Sequence, residues 1–139
     1  MRPSVVLAED HPHVAEQLRR LLAGEFDVVA VVGHGEALVK TASRLRPDVV
    51  VTDISMPGLD GIRAAAQLVL QQPSLGVVFV TVHDDAALAR KALAVGLGYV
   101  LKASAGDELV DAVHAALRAQ PFVSASLGPA EALLPKQAS

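Results

Sequence analysis

The sequence predicts a doubly wound α/β domain, a parallel sheet with helices on both faces, and three observations carry that prediction. Strand-like and helix-like stretches alternate five times with short connections, the pattern of right-handed crossovers between parallel strands. The strand candidates are continuous apolar runs such as Val49-Val50-Val51, which suit strands buried on both faces. The chain has 139 residues, 52% of them hydrophobic, enough for one sizeable core and too few for two. Aromatic residues make up only 3% and tryptophan is absent, so that core must be aliphatic.

Each element has a local reason. Ser4-Val5-Val6-Leu7-Ala8 reads as a buried strand that ends on two acids, Glu9 and Asp10. Pro12 suits the first turn of a helix, since its missing N–H has no partner there. Val14, Leu18, Leu21 and Leu22 recur at helical spacing, and Gly24 is expected to close that helix. A second strand runs from Asp27 to Val32, and after Gly33-His34-Gly35 a helix is expected from about Glu36 to Leu45, stopped by Pro47. The third strand, Val49 to Val51, runs to an acid at Asp53, and Met56-Pro57-Gly58 and Asp60-Gly61 then fix a turn. A helix rich in Ala and Leu covers roughly Gly61 to Gln71. Gly76 to Thr81 is a fourth apolar strand ending on a hydroxyl. Asp84 and Asp85 then suit the positive end of a helix running to about Val95. Tyr99-Val100-Leu101 is a short fifth strand ending at Lys102, and the last strong helix spans Asp107 to Ala119. Residues 1–120 therefore form the domain. Residues 121–139, rich in Ser, Ala and Pro, read as a tail or truncated linker with a turn or two of helix around Pro129 to Leu134. By analogy with other doubly wound sheets the strand order is 2-1-3-4-5, as in flavodoxin-like folds.

Composition excludes several function classes. The net charge is −3 with both signs scattered, unlike the basic stripe of a nucleic-acid surface, so no direct DNA binding is expected. The absence of cysteine removes disulfides, thiolate metal sites and a cysteine nucleophile together. No apolar run approaches the ~20 residues that cross a bilayer, and the expectation is a cytoplasmic domain without membrane contact. Gly33-His34-Gly35 lacks the third glycine of a dinucleotide fingerprint, Leu38 standing in its place. His11 and His13 flank Pro12 at a helix start and read as solvent-exposed rather than as a metal pair. His34 and His114 read as surface residues.

In such a sheet the strand ends share one edge, where open α/β folds place their chemistry. Glu9 and Asp10, Asp53, Thr81 and Lys102 all fall there. Clustered carboxylates repel one another or recruit a cation, and hard oxygen ligands favour Mg²⁺. A carboxylate nucleophile, an ammonium, a hydroxyl and a divalent metal are the parts that phosphoryl transfer to a carboxylate requires.

The acidic pair Glu9-Asp10, the stretch Asp53-Ile54-Ser55-Met56-Pro57-Gly58-Leu59-Asp60-Gly61, Thr81, and Tyr99-Val100-Leu101-Lys102 together resemble the receiver domain of two-component response regulators, over about residues 4 to 119. Ala8-Glu9-Asp10-His11-Pro12 and Thr81-Val82-His83-Asp84-Asp85 narrow the resemblance to the NarL/FixJ (LuxR-type) regulators. The resemblance implies that Asp53 accepts a phosphoryl group from a sensor histidine kinase. It implies a Mg²⁺ ion held by Glu9, Asp10, Asp53 and the backbone carbonyl of Ser55. Lys102 would pair with the phosphoryl group and Thr81 would bond it and move, while Tyr99 changes its burial as the switch aromatic. Ser55 and His83 would flank the group and tune its lifetime. Homodimerisation on phosphorylation, and control of transcription through a DNA-binding domain absent from this chain, are further implications. No enzymatic activity is implied beyond self-phosphorylation and autodephosphorylation.

Between Gly96 and Tyr99 the chain carries one residue fewer than NarL-type receivers usually do, which bears on the output surface. Two other readings stay open at this point. An aspartyl-phosphate hydrolase would want a carboxylate two residues after the nucleophile, where Ser55 stands. A stand-alone or phosphorylation-independent receiver would act through protein–protein contacts alone.

Overall fold

The computed structural model describes residues 2–135. The chain alternates β1 (Ser4–Ala8), α1 (Pro12–Ala23), β2 (Asp27–Val32), α2 (Gly35–Leu45), β3 (Val49–Thr52), α3 (Gly61–Gln71), β4 (Gly76–Thr81), α4 (Ala86–Leu93), β5 (Gly98–Leu101) and α5 (Ala105–Leu117). A short β6 (Phe122–Val123) follows. All pairings are parallel, in the order β2-β1-β3-β4-β5-β6. The expected five-strand order is present, extended by a sixth strand at the edge. No helix among the described residues is long and apolar enough to cross a membrane.

Side-chain parity divides the core into two layers. Val5, Leu7, Val49, Val51, Val78, Val80 and Val100 share a layer with α1 and α5 residues such as Leu18, Leu22 and Leu109. Val6, Ala8, Val50, Val77, Phe79 and Tyr99 face the other way, with Leu38, Leu68 and Leu93 of α2, α3 and α4. The central strands β3 and β4 are buried at every position, as their unbroken apolar runs require. β2 departs from that expectation because it is an edge strand. Its residues alternate between exposed and half-buried, and a register shift leaves Val29 without a partner on β1. Such a bulge discourages pairing with another chain.

Helix boundaries follow their caps. Asp60 accepts the Arg63 N–H (2.9 Å) at the start of α3, and Asp85 accepts the Ala87 N–H (2.9 Å) at the start of α4. His34, read as a plain surface residue, caps α2 through Nδ1, which accepts the Ala37 N–H at 3.2 Å. Gly24 ends α1 in the right-handed region, φ −65°, so no left-handed glycine closes it. The left-handed cap is Arg46, φ 47°, after α2. α4 stops at Leu93, short of Val95, and α5 begins two residues before Asp107, which places Asp107 and Glu108 in its first turn.

The described part of the segment after α5, read as a tail or truncated linker, packs against the domain. β6 pairs with β5, Ser124 is fully buried, and Leu133 lies inside the α4-side core layer. A two-residue strand has no periodicity to detect, so nothing local announces this packing.

Candidate functional site

Parity also sorts the strand-end residues. Glu9 follows Ala8 with the parity of Val5 and Leu7, Asp53 that of Val49 and Val51, and Lys102 that of Val100, so all three lean toward the α1–α5 side. Lys102 Nζ donates to Asp53 Oδ2 (2.8 Å) and lies 2.6 Å from Glu9 Oε1. Asp53 Oδ1 accepts the Ile54 N–H at 2.6 Å, and Asp53 is only 6% exposed. Strand geometry alone thus brings one cation against two buried carboxylates that sequence places 44 residues apart.

Burial by itself would lower the Lys102 pKa, but its hydrogen bond to Asp53 and its ion pair with Glu9 outweigh that cost and raise it. The ammonium is therefore held charged.

Asp10 sits beside this pair. Glu9 Oε1 and Asp10 Oδ1 are buried without an aligned hydrogen-bond donor. Lys102 approaches Glu9 Oε1, and His11 Nδ1 approaches Asp10 Oδ1 (3.2 Å), at ion-pair distance only. Buried carboxylate oxygens lacking donors fit a hard divalent cation, and the ligand atoms of Glu9, Asp10 and His11 all lie within 4.8 Å of one another. His11, read as merely exposed, is thus a neighbour of both acids, with Nδ1 also 3.2 Å from Glu9 Oε2. Its position directly after them was the available signal. His13 takes no part in this group.

The other parity class forms a second cluster. Thr81 follows Val77 and Phe79 on the α4 side, and Tyr99 shares that layer. Thr81 is fully buried, and its Oγ1 accepts the His83 N–H at 3.3 Å. The Tyr99 hydroxyl donates to the His83 carbonyl at 2.7 Å, and Tyr99 is 0% exposed. The residue expected to change its burial is thus on the inward side in this structure. Ser55 Oγ and His83 Nε2 are 2.8 Å apart, so the two flanking positions meet across the strand-end crevice. A groove of about 1020 Å³ opens beside them, lined by Asp10, Ile54, Ser55, Met56, His83 and Leu88 among others.

The shape of the loop after Asp53 comes from elsewhere. Gly61 N–H donates to Ile54 O (2.8 Å), and Glu36 Oε1 of α2 accepts the Leu59 N–H (3.1 Å). Gly58 has φ +76°, a left-handed position that suits glycine, and its α-carbon faces the Glu36 carboxylate. Nothing local to Glu36 in the sequence marks it as a brace for a loop more than twenty residues on.

Tyr99 offers a direct check on this geometry. Burial first, and then the charges of Asp85, Asp84 and Asp53, push its phenol up from 10.0 to about 12. Above pH 10 the folded chain then holds a proton that the unfolded chain has begun to lose, so stability falls as pH rises from about 10 to 12. The raised Lys102 acts in the same direction, since its contribution is full below its unfolded value and is lost as pH climbs through the folded one. The sequence has one tyrosine. Ultraviolet titration of the folded protein should therefore show tyrosinate appearing near pH 12, and a midpoint at 10.0 would contradict the inward hydroxyl.

Comparison with known proteins was consistent across sequence and structure. A family model described as the response regulator receiver domain matches residues 5–114. The transcriptional regulatory protein DegU of Brevibacillus brevis is 33% identical over 122 residues, covering 86% of this chain and 52% of that protein. The response regulator GacA of Pseudomonas aeruginosa is 34% identical over 124 residues, covering 86% of this chain and 58% of that protein. Among solved structures, a LuxR-family two-component response regulator from Aurantimonas sp. SI85-9A1 superposes with TM-score 0.86 at 31% identity, covering 91% of this chain and 93% of that one. The chain spans a little over half the length of these two curated relatives.

Proposed function

The chain belongs to the response regulator receiver domain family, in its NarL/FixJ (LuxR-type) branch, and from that premise we propose that Asp53 is the phosphoryl acceptor of a two-component signalling pathway. The observation that carries this reading is the buried Asp53 carboxylate, held by Lys102 at 2.8 Å beside two acids whose buried oxygens lack aligned donors. Asp53 attacks the phosphorus of a phosphohistidine on a sensor histidine kinase. The P–N bond breaks, an O–P bond forms, and the departing imidazole keeps the electron pair and gains a proton.

Glu9, Asp10, Asp53 and the Ser55 carbonyl are the residues that would hold Mg²⁺. When bound, the ion neutralises charge on the transferring oxygens. Lys102 supplies a second cation to those oxygens and holds the Asp53 carboxylate in place at 2.8 Å. Thr81, whose Oγ1 accepts the His83 N–H at 3.3 Å, would give up that bond as its hydroxyl donates to the phosphoryl group, and that exchange would move it outward. Tyr99 shares its layer, so the Thr81–Tyr99 pair is the switch. Ser55 and His83, joined at 2.8 Å, stand where water must approach for hydrolysis and tune the lifetime of the acyl phosphate.

The chain acts on no other substrate in this reading. Phosphorylation favours a homodimer, and transcription is controlled through a DNA-binding domain beyond these residues. Residues 1–139, at net charge −3, do not themselves bind DNA.

Treatment with acetyl phosphate and Mg²⁺ should add one phosphoryl group to the intact mass. That gain should vanish in Asp53→Asn and in the presence of EDTA. Equal labelling of Asp53→Asn would overturn the assignment.

A further inference from the structure

The segment after α5 lies on the face that the switch residues adjoin. β6 extends the sheet from β5, with Phe122 N–H donating to Leu97 O and Ser124 N–H to Tyr99 O, both at 2.9 Å. Ser124 Oγ accepts the Leu101 N–H (2.9 Å) and donates to Glu108 Oε1 of α5. The other Glu108 oxygen accepts the Ala125 N–H (3.2 Å). Beyond this anchor the chain turns at Gly128, whose φ of +93° only glycine adopts without strain. Leu133 is then 3% exposed in the layer that holds Tyr99 and Ala89, Ala92 and Leu93 of α4.

We propose that residues 122–134 are an intramolecular latch on the face built by α4, β5 and α5, and that phosphorylation of Asp53 releases it. The inference rests on Asp53 being the phosphoryl acceptor. Both anchor points of Ser124, the Tyr99 carbonyl and the Leu101 N–H, lie on the strand that ends in Lys102 and carries the switch tyrosine. A phosphoryl group on Asp53 replaces the Asp53–Lys102 contact by one to oxygens farther from the strand end, and so displaces Lys102 and the backbone of Leu101 before it. Ser124 has no slack to follow. Its buried hydroxyl already makes one donated and one accepted bond, and a shift of Leu101 breaks the accepted one.

The latch is built to open. It is held by a two-residue strand, one serine cluster and a few leucines, which places it at the low end of local stability. The same segment covers the surface through which the switch would be read. An effector, or a second copy of the chain, therefore meets that surface bare only after release.

Hydrogen exchange of the full chain, read by mass spectrometry, tests the coupling. Uptake at residues 122–134 is compared before and after acetyl phosphate labelling, with the intact mass recorded on the same sample. The expected result is exchange at Ser124 and its neighbours at least about fivefold faster in the labelled fraction. Coupling is reciprocal, so Ser124→Ala and, independently, Glu108→Gln should loosen the segment without phosphate. Each should also tighten beryllofluoride binding in Mg²⁺ by the factor that the label produces in wild type. A labelled protein whose segment exchanges at an unchanged or slower rate overturns the latch and leaves Asp53 as acceptor. Absence of any mass gain removes the acceptor reading and the latch with it. Beryllofluoride affinity unchanged in both variants, each with a loosened segment, likewise overturns the coupling.

Discussion

Lys102→Met is expected to abolish measurable phosphorylation and to destabilise the metal-free chain by about 3 kcal/mol or more, the usual consequence of breaking a buried pair by removing one partner. The methionine fills much of the same space, so the loss is electrostatic. Glu9 has no exposed side-chain surface and Asp53 is 6% exposed, and without the ammonium their negative charges face each other and Asp10 with nothing between. Two measurements separate this account from a packing defect. The urea midpoint of Lys102→Met should fall in EDTA and recover substantially in millimolar Mg²⁺, because a divalent cation replaces the missing charge. Labelling by acetyl phosphate should stay absent even in Mg²⁺, because the second cation on the transferring oxygens is gone. A variant that unfolds at the wild-type midpoint in EDTA would show that the pair contributes no net stability.

Gly61→Ala carries the second large effect, and for a steric reason. A Cβ at Gly61 would stand 1.9 Å from the Asp53 carbonyl oxygen and 2.9 Å from its carbon. Both are backbone atoms of the strand end that carries the Asp53 carboxylate, so they cannot swing aside as a flexible side chain would. The helix start and the Asp53–Ile54 peptide must separate, which breaks the Gly61 N–H bond to Ile54 O (2.8 Å) and moves the Ser55 carbonyl with it. A loss of about 3 kcal/mol, the upper part of the overpacking range, is expected in urea denaturation, together with a labelling rate lowered at least about tenfold. Gly24→Ala is the matched control. Nothing lies within 4 Å of its Cβ and its φ is −65°, so the same change there should stabilise slightly, by about 0.5 kcal/mol. Equal costs at the two positions would mean that close approach at Gly61 is not what matters.

The grouping of side chains at the sheet edge was legible because it depends on strand ends. In a parallel sheet every strand runs the same way, so the residue that follows each apolar run arrives at one edge. Glu9, Asp10, Asp53, Thr81 and Lys102 could therefore be grouped without knowing a single distance. The alternation of apolar runs and amphipathic stretches likewise determined the layered sheet, since burial on both faces requires those runs. What periodicity and strand ends do not encode is how loops and edges are braced. Glu36 reaches the Leu59 N–H at 3.1 Å only because α2 and the loop after Asp53 are folded side by side.

Three further features needed the tertiary structure. The meeting of Ser55 and His83 at 2.8 Å is a contact between two loops whose conformations neither sequence stretch specifies. The inward position of Tyr99, bonded through its hydroxyl to the His83 carbonyl, depends on the packed layer that surrounds it. The docking of residues 122–134 has no local signature at all. Its strand is two residues long, and Ser124 and Leu133 are ordinary residues in a Ser/Ala/Pro-rich stretch. They become buried because β5 leaves an open edge and α4 leaves apolar surface uncovered, and both exist only after the rest of the chain has folded. The sequence by itself determined the layers and the convergent strand ends, with the strand order reached by analogy. The folded surroundings decided which side chains touch, because those contacts are chosen by shape and desolvation among partners distant in the chain.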